Sequence, residues 1–160
     1  PSSDFLKPFL QGLLMDPELN LNGSSLNVES IEILPEPSFD KPIVCFRTLS
    51  PILVKTMRDV DGHLVEWELY PKDGRFYENI GRNLLQRYHT YFGAHPADAH
   101  FQIRQVYWTK PKRVTISGTP RRCSLMEFEL DASSELTRFA YDAGLGEKNA
   151  MGFGCVEVVG

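Results

Sequence analysis

Ser133-Ser-Glu-Leu-Thr-Arg-Phe-Ala-Tyr-Asp-Ala-Gly-Leu-Gly-Glu-Lys-Asn-Ala-Met-Gly-Phe-Gly-Cys-Val-Glu-Val-Val159 spells a helix, a turn and a strand in one pass. Ser133 or Ser134 can start a short helix with Leu136, Phe139, Ala140 and Ala143 inward, since a serine hydroxyl satisfies the orphaned N–H groups of a first turn. Gly144 suits the position just past its end, where a left-handed residue closes the last turn. Phe153 to Val159 then reads as a strand. Between them, Gly144, Gly146, Gly152 and Gly154 make a loop whose backbone can be approached closely, with N–H groups open to a phosphate or another chain.

Working outward, Ile43 to Arg58 is a strand-like run broken at Ser50-Pro51, because proline cannot donate to a ladder. Asp61-Gly62 signals a turn, with Val65, Trp67 and Leu69 alternating behind it, so a hairpin is expected. Asp73 can cap a helix that carries Phe76, Ile80, Leu84, Tyr88 and Tyr91 on one face, and Gly93 can close it. Phe101, Ile103 and Val106 begin a strand; Val114 to Ser117 and Cys123 to Leu130 flank a turn at Gly118-Thr-Pro120. The order β, α, β, β, α, β with an inserted hairpin is that of an α+β, ferredoxin-like βαββαβ domain.

Residues 1–37 stand apart. Phe5, Leu6, Phe9, Leu10, Leu13 and Leu14 form an amphipathic helical stripe, with Ser2, Ser3 or Asp4 as caps and Asp16-Pro17 as the stop. Leu26 to Leu34 alternates as a strand, and Pro35 and Pro37 mark a linker. This α-then-β piece reads as the terminal part of a second, N-terminal ferredoxin-like domain, which sets the expected domains at 1–37 and 38–160. The opening Pro1-Ser-Ser-Asp, without an initiator methionine, reads as a chain that starts midway.

Composition narrows the function classes. With 42% apolar and 24% charged residues in 160, the chain has the make-up of a globular protein. Neither a run of roughly 18 apolar residues nor a signal peptide is present, so no membrane partner and a cytoplasmic location are expected. Cys45, Cys123 and Cys155 are an odd set without metal-type spacing, which argues for core or strand residues and against a zinc site; no metal or cofactor is expected. A net charge of −4 does not advertise a nucleic-acid binder. Any anionic partner must meet a local patch.

One such patch is legible. Lys110, Lys112 and Arg113 face Arg121 and Arg122 across a short turn, and five like charges there repel unless an anion such as an RNA backbone meets them. Arg75, Asn79 and Arg82 share a helix face, and Arg47, Lys55 and Arg58 lie along the long strand run; all read as solvated positions. His63, His89, His95 and His100 sit in no nucleophile motif and at no ligand spacing, and read as non-catalytic. Tyr107-Trp108 suits base stacking or sheet-edge packing. The glycine loop is not a Walker loop, for no Gly-Lys-Ser/Thr follows, and not a dinucleotide fingerprint, whose third glycine is here Asn149.

Four segments, Gly144-Leu-Gly-Glu-Lys-Asn-Ala-Met-Gly-Phe-Gly154, Thr48-Leu-Ser-Pro-Ile52, Gly12-Leu-Leu-Met-Asp-Pro17 and Lys110-Pro-Lys-Arg113, resemble segments of the CRISPR repeat-processing endoribonucleases of the repeat-associated RNA-binding superfamily. The resemblance runs over nearly the whole chain. It implies paired ferredoxin-like domains that bind the repeat of a precursor CRISPR RNA, in antiviral defence, and cut it without metal. The ribose 2′-hydroxyl attacks the adjacent phosphate, aided by a histidine as general acid/base. Those catalytic residues belong to the family's first domain, and none is matched here. What the resemblance adds is an RNA-binding role for Gly144, Gly146, Lys148, Asn149, Gly152, Phe153 and Gly154, beside the cations Lys110, Lys112, Arg113, Arg121 and Arg122. Two other readings stand: a non-catalytic RNA-binding subunit of a CRISPR effector complex, with other subunits or a homodimeric copy as partners, and a ferredoxin-like interaction or ligand-sensing domain without nucleic acid.

Overall fold

The computed structural model of the chain describes residues 3–32 and 35–159, with side chains from residue 6 onward. The residues fall into two compact units, Pro1–Pro37 and Ser38–Gly160. In the first, helix α1 (Ser3–Met15) ends where Asp16 and Pro17 stop it. Its proposed caps, Ser2, Ser3 and Asp4, lie outside the described side chains. The strand expected over 26–34 is instead a two-stranded hairpin, β1 (Glu18–Leu21) against β2 (Ser24–Asn27), while residues 28–32 have no regular structure and 33–34 lie outside the described residues. The cause is Asn22-Gly23: both adopt positive φ, 52° and 84°, the primed-turn geometry that matches the twist of paired strands.

The second unit is a four-stranded antiparallel sheet, ordered β6-β7-β3-β8, with two helices. Its strands are β3 (Ile43–Thr48), β6 (Phe101–Ile116), β7 (Thr119–Ala132) and β8 (Val156–Val158); its helices are α2 (Arg75–Phe92) and α3 (Ser134–Ala143). That strand order, with α2 before β6 and α3 before β8, is the ferredoxin-like βαββαβ arrangement. Hairpin β4 (Lys55–Val60) and β5 (His63–Glu68) is inserted between β3 and α2 and turns at Asp61-Gly62, both at positive φ.

The core follows from the two periodicities. Met126, Phe128, Leu130 and Ala132 alternate on one face of β7, and Val44 and Phe46 do so on β3. Phe46 sits opposite Phe128 in register, with ring centroids 6.2 Å apart. Phe76, Ile80, Leu84 and Tyr88 on α2 and Leu136, Phe139 and Ala140 on α3 cover them. Tyr91, expected on the same face, is 76% exposed, three residues past Tyr88, the last buried position of α2. Gly81 lets α2 approach the sheet: a Cβ there would meet the Phe101 ring at 2.7 Å.

Three further expectations are revised. The strands foreseen at 101–106 and 114–117 are one 16-residue strand, with irregular register between Ile103 and Trp108 and with Pro111 opposite Ser124. The last strand is shorter than 153–159, because Gly154 at φ 72° turns the chain before pairing begins. Cys155 is exposed, whereas Cys123 is buried and Cys45 half-buried. Two caps agree with the sequence: Leu136 N–H donates to Ser133 Oγ at 3.3 Å, and Gly93 closes α2 at φ 70°. Two differ: the N-cap of α2 is Gly74, with Asp73 one residue earlier accepting from Arg75 N–H at 3.1 Å, and Gly144 follows α3 at φ 74° and ψ 175°, outside the left-handed helical region, because its carbonyl is turned to Arg87.

Phe128 has 0% exposure and touches both strands and helices. Phe128→Ala is expected to lower stability by about 3–5 kcal/mol, read as a fall in the urea midpoint with an unchanged m-value.

Candidate nucleic-acid interface

The glycine loop is docked, not free. Leu145 N–H donates to Gly154 O (2.9 Å), Glu147 N–H to Leu53 O (2.9 Å) and Gly154 N–H to Pro51 O (3.0 Å). Cys155 N–H donates to Ser50 Oγ at 2.8 Å, and its carbonyl accepts from Leu49 N–H at 2.8 Å. Asn149 pins the interior, its Nδ2 donating to Leu145 O (3.2 Å) and Phe153 O (2.9 Å). Met151 and Gly152 N–H groups close the 3₁₀ turn Asn149–Met151 onto Lys148 O and Asn149 O. Much of the backbone expected to await a phosphate is therefore spent on the fold.

Three of the four glycines are dictated by that docking. An added Cβ would lie 1.8 Å from Leu145 O at Gly154, 2.5 Å from Leu53 O at Gly146 and 2.9 Å from Gly154 O at Gly144, all at positive φ. Gly152 differs: it is exposed, at φ 84°, with nothing within 4 Å of that Cβ. Lys148, half-buried, also adopts positive φ, 61°.

Phe153 brings the loop to the cations. Its side chain packs with Leu53 and Cys123 against Val114 and Ile116 of the long β6–β7 ribbon. Alternation along β6 puts Lys110 and Lys112 on the same face as Val114 and Ile116, and Lys112 sits directly opposite Cys123. The glycine loop and two of the five cations, Lys110 and Lys112, thus share one face of the hairpin, while alternation puts Arg113 and its cross-strand neighbour Arg122 on the other.

The five cations do not act alike. Arg121 pairs with Glu68 at 3.1 Å and is three-quarters buried. Arg122 lies directly across from Arg113, but its guanidinium rests over the Trp67 ring, 5.4 Å from the centroid, a cation–π placement that offsets the like-charge contact. Its N–H also donates to Glu68 at 2.7 Å. Lys110, Lys112 and Arg113 are exposed, and among the described residues they make no ion pair.

The base of the same ribbon has the opposite charge. Glu127, Glu129 and Asp131 line β7, with Glu157 on β8. Arg47 bridges Glu127 (2.8 Å) and Glu157 (3.5 Å), and Asp131 takes His100 (3.1 Å) and Arg104 (3.5 Å). Trp108 Nε1 donates to Glu127 at 3.1 Å, and the Tyr107 hydroxyl donates to Glu129 at 2.6 Å. The Glu129 carboxylate, by accepting that bond, holds the Tyr107 phenol protonated up to about 12. Carboxylates thus occupy the aromatic pair at the end of the ribbon that repels a polyanion, while the free cations lie in the half nearer the turn.

Two residues that shape the site were not legible in the sequence: Arg87 gave no signal, and Lys55, read as solvated, is largely buried and paired. Arg87 donates to Ala143 O (2.9 Å) and Gly144 O (2.6 Å), capping α3 at the mouth of the loop, and burial pulls its guanidinium below the ordinary value. Lys55 joins Glu66 (2.9 Å) and Glu147 (3.1 Å), tying the inserted hairpin to the loop. Burial pulls the Lys55 ammonium down, but the two carboxylates outweigh it and its pKa lies above the ordinary one. Their partners stand 56, 57 and 92 residues away, beyond the reach of any local pattern. His89 and His95 stack on one another, 4.4 Å between centroids, and His63 lies at the tip of β4–β5. No group of three or more metal-ligating side chains occurs among the described residues. No helix there is long and apolar enough to cross a membrane.

Comparison with known proteins bears on the family and the fold. Residues 34–158 match the family described as CRISPR associated protein Cas6, C-terminal. The chain is 36% identical to CRISPR-associated endoribonuclease Cas6 1 of Methanocaldococcus jannaschii, over 98% of this chain and 60% of that protein. A solved structure of a Cas6-related protein from Pyrococcus furiosus superposes with a TM-score of 0.86 at 33% identity, covering 99% of this chain and 64% of its own. A structure described as a RAMP protein binding different RNA substrates gives 0.81 at 31%, covering 100% and 66%. The chain spans 60% to 66% of the length of these three relatives.

Gly152→Ala is expected to cost about 1–2 kcal/mol, the strain of a side chain in left-handed backbone. Gly154→Ala should cost about 3–5 kcal/mol, because overpacking against backbone is added; thermal denaturation of the two variants separates these values. Glu129→Gln should bring the Tyr107 phenol down towards its ordinary range, followed by the ring carbon shift in a ¹³C-tyrosine NMR titration.

Proposed function

The chain belongs to the Cas6 family of CRISPR-associated proteins, matching its C-terminal model over residues 34–158, and we propose that it binds the repeat of a precursor CRISPR RNA for a metal-independent endoribonuclease. The observation that carries this is the meeting of the glycine loop and the cationic ribbon through Phe153, which sets Lys110 and Lys112 beside the loop in a chain of net charge −4. Unpaired cations concentrated on one projecting ribbon are what an RNA backbone requires, because counterion release supplies most of such binding. The acidic row at the other end of the ribbon orients the strand towards the tip.

Within this reading, residues 38–160 are the RNA-binding ferredoxin-like domain and 1–37 are the closing segment of a first such domain. The start of the C-terminal family match at residue 34 and the two compact units support that division. Lys148 and Gly152, on the outer part of the loop, take the phosphate contact. Gly144, Gly146, Asn149 and Gly154 shape the backbone that presents it, and Phe153 anchors it to the ribbon. The 2′-hydroxyl attack that cuts the RNA is not assigned to any residue of this chain. His63, His89, His95 and His100 are left out of it, the last two being occupied by His89 and Asp131.

The test is salt-dependent binding. The 160-residue chain should retain single-stranded repeat RNA on nitrocellulose and lose it as salt rises, without cutting it. Replacing Lys110, Lys112 and Arg113 by alanine should lower the slope of log K against log salt by about 2, at about 0.7 per phosphate contact on a single strand. Binding without salt dependence, or retained fully in the triple variant, would overturn the assignment. So would repeat cleavage by the chain that is lost when one of its own histidines is replaced.

A further inference from the structure

An open cleft of about 420 Å³ lies between α2 and the inserted β4–β5 hairpin, a size within the ordinary range of small-ligand sites. Its helix wall is Asn79, Arg82, Asn83 and Gln86, four polar side chains at i, i+3, i+4 and i+7 and therefore on one face. Met57 stands on the hairpin side, 53% exposed, and Glu147 of the glycine loop closes one end.

The chemistry of this wall differs from that of the ribbon tip. Glu66 and Glu147 are both committed to Lys55, one cation between two carboxylates, so the triad keeps one net negative charge that Arg82 at the rim offsets. Asn79 is also committed, its Nδ2 donating to Lys55 O at 2.7 Å and fixing the hairpin to the helix. Asn83 Oδ1 accepts from Arg87 Nε at 2.9 Å, which leaves its Nδ2 donors unused among the described residues. Gln86 and Arg82 are exposed, and among the described residues their side chains make no hydrogen bond or ion pair. What remains for a ligand is a fixed amide donor on Asn83, a donor and acceptor pair on Gln86, the flexible, polarizable thioether of Met57 and one cation at the rim.

We propose that this cleft receives a single unpaired nucleobase of the bound RNA, read by Gln86 and Asn83, with Arg82 on the adjoining phosphate. A phosphate alone does not fit a wall that offers amides as well as one charge. A base edge does, since each base presents adjacent donors and acceptors that a carboxamide can pair with in two bonds. Sequence-specific readers of RNA take unstacked bases in this manner. The inference rests on the RNA-binding reading above and adds to it a residue pair that sets base preference, where the ribbon sets affinity.

The probes are A12, C12 and U12 RNA oligonucleotides, measured by fluorescence anisotropy with the 160-residue chain at two salt concentrations. The wild-type chain should separate the three by roughly 5- to 150-fold, the range of one good bidentate pair. Gln86→Ala should bring them within about 2-fold of one another while keeping the salt slope; Arg82→Ala should weaken all three about equally and lower that slope by about 0.7. Gln86 is exposed, and the circular-dichroism melt of its variant serves as the control for folding. Salt-sensitive binding with no preference among the oligonucleotides, or a preference unchanged in Gln86→Ala, would overturn the cleft while leaving the ribbon assignment in place. Absence of salt-sensitive binding to all three would overturn both.

Discussion

One backbone contact holds the second half of this molecule in register: the approach of Gly154 to Leu145. Leu145 N–H donates to Gly154 O at 2.9 Å, and the space beside Gly154 Cα is filled by Leu145 O, which would be 1.8 Å from any Cβ. Only glycine fits, both for the volume and for φ 72°. The contact closes the loop after α3 on itself, and the closed loop then hydrogen-bonds to Pro51 and Leu53. From that docking follow the start of β8, the burial of Phe153 against the β6–β7 ribbon and the position of Glu147 beside Lys55. A loop that is rich in glycine is here rigid, because its glycines permit close packing and are then surrounded by it.

The sheet obeys a second constraint, the exchange of partner between β3 and β7. Pairing stops at Arg47–Glu127, and Thr48 replaces the ladder with its side chain: Oγ1 donates to Met126 O at 3.1 Å and accepts from Met126 N–H at 2.8 Å. Backbone pairing resumes at Ile52 and Ser124. The detour frees residues 49–51 to receive the glycine loop. It lies at the level where β7 passes from its acidic stretch, Glu127 to Asp131, towards its basic end at Arg121 and Arg122. One ribbon therefore presents opposite charge in its two halves, and the free cations Lys110, Lys112 and Arg113 lie in the half nearer the turn.

Local chemistry was readable wherever partners are close in sequence. Ser133 as a cap, Gly93 and Gly144 past helix ends, the Asp61-Gly62 turn and the 3.6-residue stripe of α2 each depend on neighbours within a few positions. The miss at 26–34 has the same origin: Asn22-Gly23 is a turn dipeptide of the same kind, and it outweighed the alternation downstream. The strand at 101–116 is continuous although apolar alternation lapses between Val106 and Val114, and Pro111 is tolerated there since β6 is an edge strand.

The sequence by itself determined the α+β class, the βαββαβ order and the existence of a glycine-rich loop and a cationic cluster, because hydrophobic period, turn chemistry and charge clustering are local properties. Only the tertiary structure decided what those residues do. Arg121 and Arg122 were drawn off by Glu68 and Trp67, which left Lys110, Lys112 and Arg113 as the exposed cations. The glycines became packing positions through Leu53 and Leu145. Helix α2, read as solvated at Asn79 and Arg82, acquired a cleft because the hairpin folded beside it. The physical reason is common to all three. A charge, a glycine or an amide acquires its role from the partner it meets across the fold, and sequence spacing does not encode that encounter.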